Sequence, residues 1–347
     1  MNSNAKATPT IPDWFASLPQ WLSRKGATIL AAVSLSLLSL FFLTTLGSDL
    51  PVPAVAPQVA PPNGPSLAGL PECPQRQKAS PDIWNAAEAK YRDLMDDKFT
   101  ITILTYQRLE LLTDTLKFLT SEKSPSLYEI LVVWNDQGKV PPNDYVASHN
   151  VSVRFIRTPR NSMNMKFIPY AEYRTKAVLL HDDDVHYEHL DMELAFQTWR
   201  QRGQYQIVGA FGRCVIMGPD GQWRTNNCSD REYYNLVLTG LLFTHISYLD
   251  YFSSSDPLMM KIRNYIDQVF NCDDFAFNYV AQMLSCTGPY QVTGPKIAFN
   301  AHPKIGISRT KNNIQTRWQC VRDFTEFFGY MPLKNTSEHI LRGVLPW

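Results

Sequence analysis

The sequence predicts an α/β domain on a mainly parallel β-sheet, set behind a single transmembrane helix and a proline-rich stem. Three observations carry this reading. Short apolar runs rich in β-branched and aromatic residues recur between helical-period and polar segments. An uncharged apolar stretch of bilayer-spanning length lies near the N-terminus, and a run dominated by Pro, Ala, Val, Gln and Ser separates the two regions.

Residues 27–46, ATILAAVSLSLLSLFFLTTL, carry no charge and have the length a helix needs to cross a bilayer. Arg24 and Lys25 precede them and Asp49 follows, so the positive-inside bias places residues 1–26 in the cytosol and the rest of the chain on the lumenal side, a type II topology. A cleaved signal peptide is the competing reading, but the apolar run is long for one and starts after a tail that already holds Asp13, Trp14 and Trp21. Residues 47–96 form the stem and the approach to the domain. Their proline content, heaviest from Pro51 to about Pro81, favours an extended backbone that cannot supply a core.

The domain, residues 97–347, opens on FTITILTY, a strand, followed by RLELLTDTLKFL, whose leucines recur at helical spacing. EILVVWND, VSVRFIR and KAVLLHDDD repeat the strand pattern, and continuous apolar strands of this kind are buried on both faces of a parallel sheet. HLDMELAFQTWRQRG has a helical period and a glycine stop, and QIVGAFG returns as a strand. Beyond Gly212, GPDGQWRTNN reads as a hairpin, NLVLTGLLFTHISYLDYF as a buried apolar segment and DPLMMKIRNYIDQVF as an amphipathic helix. No glycine- or proline-rich linker follows Asp97, which predicts one continuous domain.

With 347 residues, 44% of them hydrophobic and 19% charged, the chain can bury a sizeable core. Its formal charge of +1 lacks the basic field that holds a nucleic-acid backbone, so no nucleic-acid partner is expected. The six cysteines, Cys73, Cys214, Cys228, Cys272, Cys286 and Cys320, can form disulfides in a lumenal setting, and none shows zinc-like spacing. Cys214 and Cys228 flank the GPDG turn and could close a hairpin. The sequons at Asn150, Asn227 and Asn335 agree with a secretory-pathway address.

Asp182, Asp183 and Asp184 directly follow the strand residues Ala177–Leu180, and ligands of open α/β sheets gather beyond the carboxyl ends of the strands. Three adjacent carboxylates raise one another's pKa, a cost that a bound hard cation such as Mn²⁺ or Mg²⁺ removes. Such an ion keeps open positions for phosphate oxygens. The competing reading is a solvated turn, with Asp184 or a neighbour capping the helix near His189.

The motifs FTITILTYQR, ILVVWND, RNSMN, VLLHDDDV, NCDDFAFNY and RWQCVRDFTEFFGYMPL occur in the order seen in the exostosin-like glycosyltransferases, and from about Phe99 to Pro332 the chain resembles glycosyltransferase family 64. The resemblance implies a GT-A-type nucleotide-sugar-binding fold in a Golgi or ER membrane protein. It further implies transfer of N-acetylhexosamine or glucuronic acid from a UDP-sugar, with retention at the anomeric carbon. By the same resemblance Asp184 is the metal contact, with Mn²⁺ the expected ion and Mg²⁺ the alternative, while Asp182 and Asp183 lie near ribose and sugar. Arg108, Asn135 and Asn161 match positions lining the nucleotide pocket. Asp273 and Asp274 match acidic residues beside the reacting sugar, Asp274 being the leading catalytic carboxylate, and Arg317 matches an arginine facing the diphosphate. Read without the resemblance, Asp273 and Asp274 would cap a helix over Phe275–Met283 and Arg317 would be a surface residue. The family also joins the cysteines that correspond to Cys272 and Cys320.

One departure concerns the phosphate pocket. Relatives commonly carry Asn-Arg where this chain has Met165 and Lys166, so a bidentate guanidinium gives way to a point charge that still neutralises a diphosphate. Trp134 is a candidate for lining the base pocket. The leading expectation is a retaining, metal-dependent transferase that moves GlcNAc or GalNAc from a UDP-sugar to a glycan or glycolipid. Retention admits a covalent glycosyl intermediate or same-face departure and attack. The alternatives are a non-catalytic lumenal carbohydrate-binding protein on the same fold, which loss of Asp184, Asp274 or Arg317 would have favoured, and a metal-dependent phosphohydrolase, for which no His or Lys nucleophile arrangement accompanies the triplet. Nothing in the sequence speaks to oligomeric state.

Overall fold

The computed structural model describes residues 66–343, except 75, 143–144, 229–230, 296 and 300–305. The expected cytosolic tail, transmembrane helix and most of the stem lie outside the described residues. Among the described residues no helix is long and apolar enough to cross a membrane.

Four strands form the parallel heart of the sheet: β1 (Met95–Thr105), β2 (Leu127–Trp134), β3 (Ser152–Arg157) and β4 (Thr175–Asp182). They stand in the order β3-β2-β1-β4, each parallel to its neighbour. The central pair carries the Ile, Leu and Val runs that the sequence reads as strands buried on both faces, and Ile101, Ile103, Ile130, Leu131 and Val132 are all fully buried.

Beyond β4 the sheet becomes mixed. β6 (Val208–Gly209) and β10 (Leu241–His245) follow, with β10 antiparallel to both β4 and β6. β11 (Tyr290–Thr293) and β13 (His339–Leu341) complete an eight-stranded sheet. The run QIVGAFG yields only the two residues of β6, and Gly209 within it approaches its neighbour closely: a Cβ there would lie 2.7 Å from the Leu241 carbonyl oxygen. The apolar segment 235–252 does not form one element. It divides into β9 (Leu236–Val237), β10 and the helix α4 (Ile246–Ser253).

One face of the sheet is covered by α2 (Leu109–Leu119) and α3 (His189–Gln201). The other is covered by α4, α5 (Pro257–Val269), α6 (Asp273–Ser285) and α7 (Asn313–Phe328). The expected hairpin is present as β7 (Gly212–Met217) and β8 (Trp223–Asn226), with the Cys214–Cys228 disulfide at its open end. A short pair, β5 (Val185–Tyr187) with β12 (Ile297–Phe299), lies just past the acidic triplet.

Residues 66–94, which the sequence places in the stem and the approach to the domain, are packed into the second face. The helix α1 (Pro81–Tyr91) inserts Trp84, fully buried, among Tyr205, Tyr248 and Tyr251, and the Trp84 indole N–H donates to the Ala68 carbonyl at 2.9 Å. A third disulfide, Cys73–Cys286, ties the segment to the end of α6. Together with Cys272–Cys320 this pairs all six cysteines.

Candidate active site

The parallel strands end side by side, and the residues that follow them converge. Arg108 lies just after β1, Asn135 just after β2, Asn161 a few residues past β3, and Asp182 closes β4. This is the carboxyl edge where a 3-2-1-4 parallel arrangement gathers ligands. The Asn135 amide donates to Asn161 Oδ1 at 2.8 Å and to the Ser162 carbonyl at 3.1 Å, so the RNSMN loop is pinned against the end of β2.

Each carboxylate of the triplet has a cationic partner. Lys166 Nζ is 2.6 Å from Asp182 Oδ1, Arg108 Nη1 is 2.8 Å from Asp183 Oδ1, and the other Arg108 nitrogen meets Asp184 Oδ2. Asp183 is the buried member: its Oδ2 accepts from the Thr105 hydroxyl and its backbone carbonyl from Thr115, both at 2.8 Å. Burial pushes its carboxyl up to about 7, against the pull of Arg108 and Thr105. For Asp182 partial burial acts upward as well, but the Lys166 ammonium outweighs it and the carboxyl ends below its usual range. Relief of the clustered negative charge, which the sequence assigned to a cation alone, thus comes in part from two basic side chains. Asp184 caps no helix, because β5 intervenes and Glu188 precedes α3.

The second acidic pair opens α6. Asp273 and Asp274 occupy its first turn, behind Cys272, whose backbone is left-handed at φ 71°. Arg317 comes from α7, and its Nη2 is 2.6 Å from Asp274 Oδ2, with the guanidinium 4.2 Å above the Phe275 ring. The surface position that the motif-free reading gave Arg317 is therefore wrong: α7 turns it inward to meet the carboxylate. Cys272–Cys320 joins the two helices within one turn of this pair. Burial, then the neighbouring Asp274 charge, push Asp273 up to about 7, with Lys166 acting the other way. Lys166 is the electrostatic link between the two acidic clusters. It is almost wholly buried and acts on Asp182 and Asp273 alike.

Several residues at the site escaped sequence reading. Arg213 on β7 feels both Arg317 and Asp274, though its one side-chain hydrogen bond among the described residues goes to the Gly212 carbonyl at 2.7 Å. Gly240 permits Asp182 its position, since a Cβ there would lie 2.5 Å from Asp182 Oδ2. Neither carries a local signal; both depend on which strand lies beside which. Trp134 is buried, with its indole N–H on the Lys139 carbonyl and its ring against Phe155, and so belongs to the core.

The donor set suits a hard cation. Asp182 and Asp184 present carboxylate oxygens at a partly open edge. Among the described residues no three acidic, His or Cys side chains form a complete protein cage.

Residues 99–344 match the Glycosyl transferase family 64 domain. The chain is 32% identical over 238 residues to an exostosin-like-3 homolog of Caenorhabditis elegans, covering 69% of this chain and 28% of that protein. It is 30% identical over 268 residues to human exostosin-like 2, covering 72% of this chain and 79% of that protein. It is 30% identical over 260 residues to glucosamine inositolphosphorylceramide transferase 1 of Oryza sativa subsp. japonica, covering 72% of this chain and 34% of that protein. The chain thus spans about a third of the length of several of its curated relatives.

Proposed function

The chain belongs to glycosyl transferase family 64, and from that premise we propose that it transfers N-acetylhexosamine, GlcNAc or GalNAc, from a UDP-sugar to a glycan or glycolipid acceptor with retention. The observation that carries the proposal is the Asp274–Arg317 pair, 2.6 Å apart and linked through Lys166 to the triplet at the strand ends. Sequence distance separates these groups; the fold faces a carboxylate and a guanidinium toward one edge. There a donor's diphosphate would meet Arg317 and Lys166 while its sugar would lie beside Asp274.

In this reading Asp184 is the protein ligand of Mn²⁺ or Mg²⁺, which when bound would neutralise diphosphate charge as the leaving group departs. Arg108 holds Asp183 and Asp184 until the donor arrives. Asn135 and Asn161 orient the nucleotide, Asp182 and Asp183 the ribose and sugar. Arg317 stabilises charge on departing UDP. A glycolipid acceptor gains support from the rice relative, whose name places its activity on inositolphosphorylceramide. Residues 27–46 would hold the protein in a Golgi or ER membrane with the domain lumenal.

Full-length protein in detergent should release UDP from UDP-GlcNAc or UDP-GalNAc in the presence of Mn²⁺, and EDTA or Asp184→Ala should abolish that release. Release that survives chelation removes the metal role, and no release from either donor removes the proposed activity.

A further inference from the structure

The helix that carries the acidic pair is held at both ends by chain from elsewhere. All thirteen residues of α6 are buried. At its start, Cys272 is bonded to Cys320 of α7; at its end, the C-cap Cys286 is bonded to Cys73. Beside Cys73 lies Arg76, fully buried, and among the described residues no carboxylate pairs with it. Its Nε donates to the Leu284 carbonyl of the last α6 turn at 2.8 Å, and its Nη2 to the Pro71 carbonyl at 2.7 Å.

A buried guanidinium without an acidic partner is costly, and an apolar side chain of similar volume would avoid that cost. What Arg76 supplies is specific to a helix end. In the last turn of α6 the Gln282 carbonyl accepts the Cys286 amide at 2.9 Å, whereas the carbonyls beyond it lie past the last helical N–H, Leu284 among them is fully buried, and the end of the helix carries about half a negative charge. A fork donating to Leu284 and to the incoming chain satisfies one such carbonyl, places a cation at that end and sets where the helix stops. The same segment is stitched to α4, with the Ser80 amide donating to Tyr251 Oη at 2.8 Å and Tyr91 Oη to Asp250 at 2.7 Å.

We infer that Arg76 is a positioning residue for the active site: with the Cys73–Cys286 disulfide it fixes the C-terminal end of α6, and through this rigid helix the placement of Asp274 against Arg317. The segment 66–80, which precedes the residues matching the family domain, is thereby a working part of the site. The inference rests on the proposed roles of Asp274 and Arg317 for its catalytic consequence, and on α6 alone for its structural one.

The test uses the full chain with Arg76→Met, which keeps length and packing but removes the fork, and Arg76→Lys, which keeps the charge. Tyr91→Phe is the control, since it loosens the same segment without touching α6. Two quantities are read: amide hydrogen exchange of Phe275–Phe277, and kcat against donor KM for UDP release from UDP-GlcNAc with Mn²⁺. Arg76→Met should remain folded, exchange in the first turns of α6 about 10-fold faster, and lose about 10-fold or more in kcat with donor KM within about twofold. Arg76→Lys should fall between, and Tyr91→Phe should match wild type in both. Unchanged exchange at Phe275–Phe277 in Arg76→Met, or a change equalled by Tyr91→Phe, overturns the inference; if Arg76→Met fails to fold, Arg76→Lys decides by the same criteria. Faster exchange in a protein that releases no UDP even as wild type upholds the coupling of Arg76 to α6 and removes the transferase reading instead.

Discussion

Arg317 and Asp274 should behave as one unit, and a double-mutant cycle measures it. At a charge separation of about 4 Å and an effective dielectric of about 20, the gross attraction of such a pair is about 4 kcal/mol. Both side chains retain some solvent, 21% and 11% exposed, so the net coupling should be smaller, about 1–3 kcal/mol. Arg317→Ala removes a cation from the place where diphosphate charge would develop and should lower kcat about 10²–10³-fold, the loss found when a single preorganised charge stabiliser is deleted. Asp274→Ala should cost a comparable factor. The double variant should be no more than about 10-fold worse than either single one, because groups that act together lose their function at the first deletion. The assay is continuous UDP release at saturating donor and Mn²⁺, with circular dichroism confirming that each variant is folded. Losses that multiply across the cycle would show two independent roles, and a kcat for Arg317→Ala within about threefold of wild type would refute the placement of the guanidinium on the leaving group.

Other outcomes follow from the same coordinates. Trp84→Ala removes a fully buried indole outside the matched family domain and should cost about 3–5 kcal/mol, lowering the melting temperature by several degrees; an unchanged melting temperature would show that residues 66–94 do not belong to the folding unit. Gly240→Ala should raise donor KM while leaving the melting temperature within about a degree or two, since the added Cβ meets the Asp182 carboxylate rather than backbone. Burial pushes His245 down to about 3, and its Nδ1 accepts the Ser247 amide at 3.2 Å, which requires the neutral ring. The unfolded chain protonates near 6.5, so this contribution is complete above that pH and is lost toward pH 3 at about 1.4 kcal/mol per unit. Denaturant unfolding at pH 7, 6 and 5 should show a fall that His245→Gln reduces; an identical fall in both proteins would exclude the histidine as its source.

Residues 97 onward announced their local elements. β1, β2 and β4 are readable because a strand buried on both faces has to be apolar along its buried length, β3, a partly buried edge strand, because its first apolar residues alternate with polar ones, and α5 because its apolar stripe recurs at the helical period and Asp256 caps it. The hairpin with Cys214–Cys228 is readable because turn chemistry and a short disulfide loop are both local. The acidic triplet could be located at a strand end for the same reason.

Partnership is a different kind of information. That β10 runs antiparallel beside β4, that Lys166 serves Asp182 and Asp273 together, and that Arg317 faces Asp274 all depend on contacts across long stretches of chain. Residues 66–80 show the limit most plainly: they fall in the stretch whose proline content reads as extended spacer, yet Arg76 and Cys73 bury themselves against a helix more than two hundred residues away. Composition and period determine what a segment can form by itself. Which apolar face receives Trp84, and which helix end receives Arg76, is decided only when the α4–α7 layer assembles and offers a surface where burial outweighs the entropy of ordering the segment.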